Sequence, residues 1–351
     1  MTGERIEIAR PDDWHLHLRD GAMLHTIVGF SAAVFGRAIV MPNLVPPVRV
    51  PQEAEAYRTR ILAALPDGHP FEPLMTAYMT DSADPADIRA GFESGVFRAV
   101  KLYPAGATTN SEMGVTRMAA IRPVLAEMER IGMPLLVHGE VADPEVDVFD
   151  REAVYIERVL DPMRRDFPGL RVVLEHVTTV DAVDYVRAAG GGLGATITPH
   201  HLTINRNAIF RGGLRPHMYC LPVAKRERHR LALRAAAISG DSRFFLGTDS
   251  APHTRRDKET DCGCAGIFNA PNALQCVAQV FDEEGALDRL EGFVSRAGAE
   301  FYRMAPNSDR IVLEKGVGSD APRERVGVAD HAIRVFDPGT PISWRIVSGL
   351  R

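Results

Sequence analysis

The chain has 351 residues, 45% of them hydrophobic and 25% charged, and a formal net charge of −5. That balance is ordinary for a globular protein, and with no Lys/Arg block it argues against a nucleic-acid partner. No run reaches the roughly 18 apolar residues of a membrane span, and the acidic start (Glu4, Glu7, Asp12, Asp13) lacks the basic and apolar regions of a signal peptide. Four cysteines, two of them crowded as Cys262-Gly263-Cys264, form no secreted disulfide framework. The expectation is a cytoplasmic chain of enzyme size acting on a small molecule, with no membrane partner.

Eight short apolar runs follow one another: Trp14–Leu18, Ala38–Met41, Leu74–Met79, Ala99–Tyr103, Leu135–Val137, Val172–Leu174, Gly194–Thr198 and Phe244–Leu246. Most are rich in Val, Ile, Leu and Phe, as strands buried on both faces should be. Helical spacing lies between them, most clearly over Thr116–Ile131, where Met118, Ile121, Leu125 and Met128 share a face before Gly132-Met133-Pro134 ends the run. A second helix is expected over Lys225–Ile238. Repeated strand and helix predict an α/β fold, a (β/α)8 TIM barrel over about residues 10–290 within a single domain of residues 1–351. A doubly wound open sheet would take the same elements, but no glycine-rich dinucleotide fingerprint follows the first strand. From about residue 291 to 351 the pattern changes to a short C-terminal extension. There Arg334-Val335-Phe336 and Ile342–Val347 are expected to pair as a hairpin outside the barrel.

In such a barrel the active site forms at the C-terminal ends of the strands, and polar residues gather at that end. In Asp13-Trp14-His15-Leu16-His17-Leu18-Arg19, strand alternation turns His15 and His17 to one side and Trp14, Leu16 and Leu18 to the other. Two imidazoles converging in this way commonly hold a divalent transition metal. Met41-Pro42-Asn43, Lys101, His138-Gly139-Glu140, Glu175-His176 and Gly247-Thr248-Asp249-Ser250-Ala251-Pro252-His253 end the later strands. Any one of them alone is better read as a packed core residue or a helix cap; their recurrence at one end of one barrel is not. Lys101, between Val100 and Leu102, is penalised as a buried charge. Nearby dications would favour its neutral amine, which can add carbon dioxide to give a carbamate able to bridge two metals.

With Lys101-Leu102-Tyr103-Pro104, Thr196-Ile197-Thr198-Pro199, Pro216-His217-Met218-Tyr219-Cys220-Leu221-Pro222 and Cys262-Gly263-Cys264-Ala265-Gly266, these stretches resemble the dihydroorotases of the amidohydrolase superfamily, specifically the short bacterial type. The likeness covers about residues 10–300. It implies two Zn2+ per subunit: His15, His17 and Asp249 on the first, His138 and His176 on the second, with Lys101 as bridging N6-carboxylysine beside a hydroxide. It implies reversible cyclisation of N-carbamoyl-L-aspartate to L-dihydroorotate, the third step of de novo pyrimidine biosynthesis, with Asp249 as general base and then acid. Arg19, Asn43 and His253 would grip the substrate carboxylate, the backbone of Leu221 and Ala265 would meet the ring, and a closing loop would present Thr108 and Thr109. A homodimer is implied as well.

The loop Ala105–Ser111 is small and polar, has no apolar anchor before Met113, and is expected to be mobile. His200 and His201 are expected to be structural, Cys262-Gly263-Cys264 to shape a turn, and Gly190-Gly191-Gly192 not to bind phosphate, because it precedes a strand. Hydantoinases and the longer dihydroorotases, the nearest rivals within the superfamily, usually place a β-rich segment ahead of the barrel, and a ligand pair at residue 15 is expected to leave no room for one. A non-catalytic relative would characteristically lose metal ligands, and all six positions are present.

Overall fold

The computed structural model describes residues 4–316, 324–327 and 331–348. Strand β1 (Arg5–Ala9) precedes eight strands: β2 (Asp13–Leu16), β3 (Arg37–Val40), β4 (Glu72–Tyr78), β5 (Phe97–Leu102), β6 (Leu135–His138), β7 (Val172–Glu175), β8 (Leu193–Ile197) and β9 (Phe244–Leu246). β2 to β9 pair in chain order, every pair parallel. The ring closes where Leu16 bridges Ser250 in parallel. There the Asp249 amide donates to the His15 carbonyl at 2.9 Å and the His17 amide to the Ser250 carbonyl at 3.2 Å. The fold is a (β/α)8 barrel, with each predicted strand found within two residues of its expected place. The two predicted helices run Met118–Ile131 and Glu227–Ala237. The first stops at Gly132, whose φ of 72° is the left-handed cap that glycine adopts without strain.

Alternation along the strands splits their side chains into two sets. Leu16, Val40, Val100, Val137, Leu174, Ile197 and Leu246 face outward into the core beneath the helices. Trp14, Ile39, Leu74, Ala99, Leu136, Val173 and Phe245 form a separate inner cluster. One expectation is corrected here, because Trp14 does not share a side with Leu16 and Leu18. β2 pairs Asp13 with Ala38 and Leu16 with Val40, three steps against two. The extra residue is a bulge, which shifts the alternation and brings Trp14 inside the barrel below His15.

The segment after the barrel closes the inner cluster from below. Ala297, Ala299 and Tyr302 belong to that cluster, and the Tyr302 ring stacks on Trp14 at 4.5 Å between centroids, 8° from parallel. The expected C-terminal hairpin is not formed. β12 (Ile333–Arg334) pairs with β11 (Arg325–Val326), while β13 (Trp344–Ser348) pairs antiparallel with β10 (Arg310–Lys315), which pairs with β1. Tertiary partners overrode the local turn signal. The Phe336 amide donates to the Phe268 carbonyl at 2.7 Å and Asn272 Nδ2 to the Phe336 carbonyl at 2.8 Å, which holds that run against the barrel. Trp344 is buried, with its Nε1 donating to Asp282 at 3.2 Å. One strand, β1, lies ahead of residue 15, and the C-terminal strands β10 and β13 complete its sheet.

Candidate active site

The inner faces that are apolar at the floor turn polar one pleat higher. Leu136 is followed by His138, Val173 by Glu175 and Ala99 by Lys101, so residues two apart carry first the core and then the chemistry. All of these polar groups are buried. His15 Nε2 and His17 Nε2 lie 3.3 Å apart, and Asp249 Oδ1 is 3.3 Å from the first and 3.1 Å from the second. His138 Nδ1 and His176 Nε2 lie 3.2 Å apart. Two carboxylates orient this set from outside. Glu175 Oε2 sits 2.8 Å from His15 Nδ1 and accepts the Thr196 hydroxyl at 2.5 Å. Glu140 Oε2 lies 3.0 Å from His138 Nε2. Each holds a proton on the outer nitrogen of its histidine and so aims the inner lone pair at the cluster, as partners of metal-bound histidines do.

Backbone strain marks the same places. Among the described residues five non-glycines have positive φ, and Arg19 (56°), Asn110 (56°), His176 (43°) and Asp249 (43°) are four of them. Such conformations persist where surrounding contacts enforce them. Asp249 is held by its neighbour Thr248, whose amide and hydroxyl donate to the Asp13 carboxylate at 2.8 and 2.5 Å.

The donor set fits a cation. His15, His17 and Asp249 offer atoms that all lie within 4.8 Å of one another. Burial lowers the proton affinity of His15 and pushes His17 and His176 well below the usual imidazole range, favouring the neutral ligand form. Lys101 is fully buried and its Nζ has no hydrogen-bond partner. Burial pulls its ammonium down to about 8, against the opposing pull of Glu175 and Asp249. A buried amine without a partner is costly; this one lies beside His15 and Asp249, where a ligand group would satisfy it.

Above the cluster is a small pocket lined by His17, Arg19, Asn43, Thr108, Thr109, His138, Leu221, Asp249 and Ala265. Arg19 Nη2 lies 3.0 Å from His253 Nε2, and Arg19 Nε donates to the Pro252 carbonyl at 3.1 Å. Burial, then the nearby Arg19 and Lys258 charges, bring His253 down to about 2, so it faces the guanidinium as a neutral ring. All thirteen predicted site residues therefore lie in or beside one cavity. The loop over residues 105–111 is folded onto it. Thr109 Oγ1 donates to the Ala265 carbonyl at 3.3 Å, Asn43 Nδ2 to the Thr109 carbonyl at 3.1 Å, and Asn110 Nδ2 to the Asn43 carbonyl at 3.1 Å. These anchors are polar, and Met113, just beyond the loop, is 48% exposed.

His201 has both ring nitrogens engaged, Nδ1 with the Thr198 hydroxyl at 2.9 Å and Nε2 with the Pro222 carbonyl at 3.0 Å. His200 Nδ1 meets Asn269 Nδ2 at 3.0 Å, so these two histidines brace the wall beside Asp249, although His200, His201 and Cys220 also lie close enough to hold an ion. Asp13, Glu140, Glu175, Thr196, Thr248 and Lys258 were not singled out as site residues. Glu140 carries a local signal, a carboxylate two residues after the histidine it contacts, His138, and Glu175 stands next to His176 although its partner is His15. For the others the partner is distant in sequence and leaves no local trace.

The family model for the amidohydrolase family matches residues 12–312. The chain belongs to the amidohydrolase family. Within that family it is 62% identical to a dihydroorotase of Chelativorans sp. (strain BNC1) over 344 residues, 97% of this chain and 99% of the relative. It is 60% identical to a dihydroorotase of Ruegeria sp. (strain TM1040), over 98% of this chain and 99% of that one. Among solved amidohydrolase structures, a Saccharomyces cerevisiae dihydroorotase in complex with 5-fluoroorotic acid superimposes with a TM-score of 0.89 at 31% identity, covering 99% of both chains. An L-hydantoinase of Arthrobacter aurescens, at 16% identity and a TM-score of 0.80, shares the fold.

Proposed function

We infer that the chain catalyses the dihydroorotase reaction, the reversible ring closure of N-carbamoyl-L-aspartate to L-dihydroorotate. The observation that carries this reading is the Arg19 guanidinium, paired with His253, lining the same pocket as His17 and Asp249 of the His15–His17–Asp249 cluster. A guanidinium offers a carboxylate two parallel donors, and the substrate carries a carboxylate in both ring and open forms. Two metal ions, which we take to be zinc, would be held by His15, His17 and Asp249 and by His138 and His176, with Lys101 as a carbamate between them. When bound, they supply an activated water and polarise the carbonyl of the ring amide. Asp249 would accept the proton that the attacking water gives up and return it to the departing ring nitrogen, which it can do from one position because the attacked carbon and that nitrogen belong to the same amide. Arg19, Asn43 and His253 orient the substrate, Leu221 and Ala265 flank the ring through their backbones, and Thr108 and Thr109 close the pocket against water. The same reading places the enzyme in the cytoplasm as a homodimer.

A hydantoinase reading shares the metal set but leaves Arg19 without a carboxylate to bind. The test is loss of ultraviolet absorbance when metal-replete protein meets L-dihydroorotate, beside a chelated sample and beside hydantoin. Metal-dependent loss with L-dihydroorotate alone is expected; turnover of hydantoin and not of L-dihydroorotate overturns the reading.

A further inference from the structure

Lys258 is only 2% exposed, and its ammonium donates to three backbone carbonyls, those of Tyr219, Cys264 and Gly266, each at 2.8 Å. An ammonium has three donors, so all three are used on main chain. Among the described residues it forms no salt bridge with a carboxylate. A buried cation without a counter-charge carries a desolvation cost, which the three carbonyl bonds offset; a methionine would avoid that cost but take this donor away from all three carbonyls. Something other than core packing is served by the charge.

The three acceptors lie on two separate stretches, each adjoining a backbone expected to meet the substrate ring. Tyr219 is two residues before Leu221, and Cys264 and Gly266 bracket Ala265. The stretches are also joined directly, the Gly266 amide donating to the Tyr219 carbonyl at 3.1 Å. With Cys264 and Gly266 turned onto the ammonium, the Ala265 carbonyl faces the pocket, where it accepts the Thr109 hydroxyl at 3.3 Å. The glycines of Cys262-Gly263-Cys264-Ala265-Gly266 make the close approach possible. A Cβ on Gly263 would lie 2.5 Å from the Lys258 carbonyl, and one on Gly266 would lie 2.4 Å from the Ala251 carbonyl and 2.8 Å from His253.

We propose that Lys258 is a positioning residue for substrate: its ammonium fixes the orientation of the peptides around Ala265, and ties them to the Leu221 stretch, so that ring and closing loop meet a preset surface. This rests on the reading that Leu221 and Ala265 face the ring. The experiment compares Lys258→Met, Thr109→Ala, the double variant and Arg19→Met in metal-replete enzyme, with metal content and melting temperature measured for each. For Lys258→Met we expect KM for L-dihydroorotate to rise about tenfold with kcat within about threefold and metal content unchanged. The KM increase caused by Thr109→Ala should shrink in the Lys258→Met background, because the acceptor for that hydroxyl is no longer held. A lower melting temperature with unchanged KM and an undiminished Thr109→Ala effect assigns Lys258 to structure alone and overturns the proposal. If Lys258→Met does not fold, Gly263→Ala disturbs the same turn and is read by the same KM criterion. Should Arg19→Met also leave KM unchanged, the pocket reading itself has failed, and not only the role of Lys258.

Discussion

The floor and the rim of this barrel are built from the same strands, one pleat apart, and they obey opposite rules. At the floor Trp14, Leu136, Val173 and Phe245 bury apolar surface against Ala297 and Tyr302, which favours the folded state; the polar atoms there without a partner are only the tips of two aromatic rings, Trp14 Nε1 and the Tyr302 hydroxyl. At the rim His15, Lys101, His138 and Glu175 are equally buried but polar, with Lys101 Nζ and His17 Nδ1 left without hydrogen-bond partners. The rim sacrifices stability to hold a reactive arrangement, and the floor supplies the stability that makes this tolerable.

The sharpest separation comes from Asp249→Asn. It keeps the shape of the rim and removes the proton acceptor, so kcat should fall by about 10²–10⁴-fold with an unchanged circular dichroism spectrum; retention of more than half the rate would remove Asp249 from the chemistry. Trp14→Ala is the counterpart at the floor. Loss of the ring stacked on Tyr302 should destabilise by about 3–5 kcal/mol in denaturant titration, while kcat of the molecules still folded at low temperature stays near wild type. A larger loss of kcat than of stability would mean that the two layers are not separable.

Glu175→Gln probes the seam between them. The neutral amide cannot hold the His15 proton as a carboxylate does, and metal affinity measured by competition with a chelator should drop about 10–100-fold. Lys101→Met should abolish activity yet raise the melting temperature of metal-free protein, since it replaces an unpartnered buried amine with an apolar chain. A lower melting temperature would show that Lys101 is satisfied in a way the geometry does not reveal.

Acidification gives the smallest effect. His15, His17, His176, His200, His201 and His253 all have proton affinities lowered by burial, so the unfolded chain takes up protons that the folded one refuses. Metal-free protein should therefore lose stability as pH falls below the ordinary histidine value of about 6.5. For His201 the loss continues down to about 4. Asp13, raised to about 7 by burial, with Asp249 and Glu152 also raised, works in the other direction. His69, His217 and His229 are lowered as well, so nine histidines oppose three carboxyls and a net fall in melting temperature between pH 7 and 5 is expected; a rise would mean that the carboxyls dominate.

Much of this was legible in the sequence, and for a physical reason. Doubly buried strands must be apolar, so a histidine or lysine at the end of such a run has no structural excuse and stands out. His15, Lys101, His138, His176 and Asp249 were visible for that reason, and the eight-strand count with them. What was hidden depends on contacts distant in sequence. The β2 bulge that places Trp14 inside is a matter of register with Ala38 and Val40. The false hairpin at Arg334–Val347 had sound turn residues and lost to Phe268 and Asn272 on one side and β10 on the other. Lys258, in Arg255-Arg256-Asp257-Lys258, looks like any surface lysine until its three carbonyl partners are seen.

The central claim is that the rim is a binuclear metal centre on which turnover depends, and titrating metal back into chelated protein tests it most directly. Activity toward L-dihydroorotate should be absent without metal and rise until two Zn2+ are bound per chain, with the Lys101→Met protein failing to reach that stoichiometry. Full turnover by protein shown to be metal-free would contradict the account at its root.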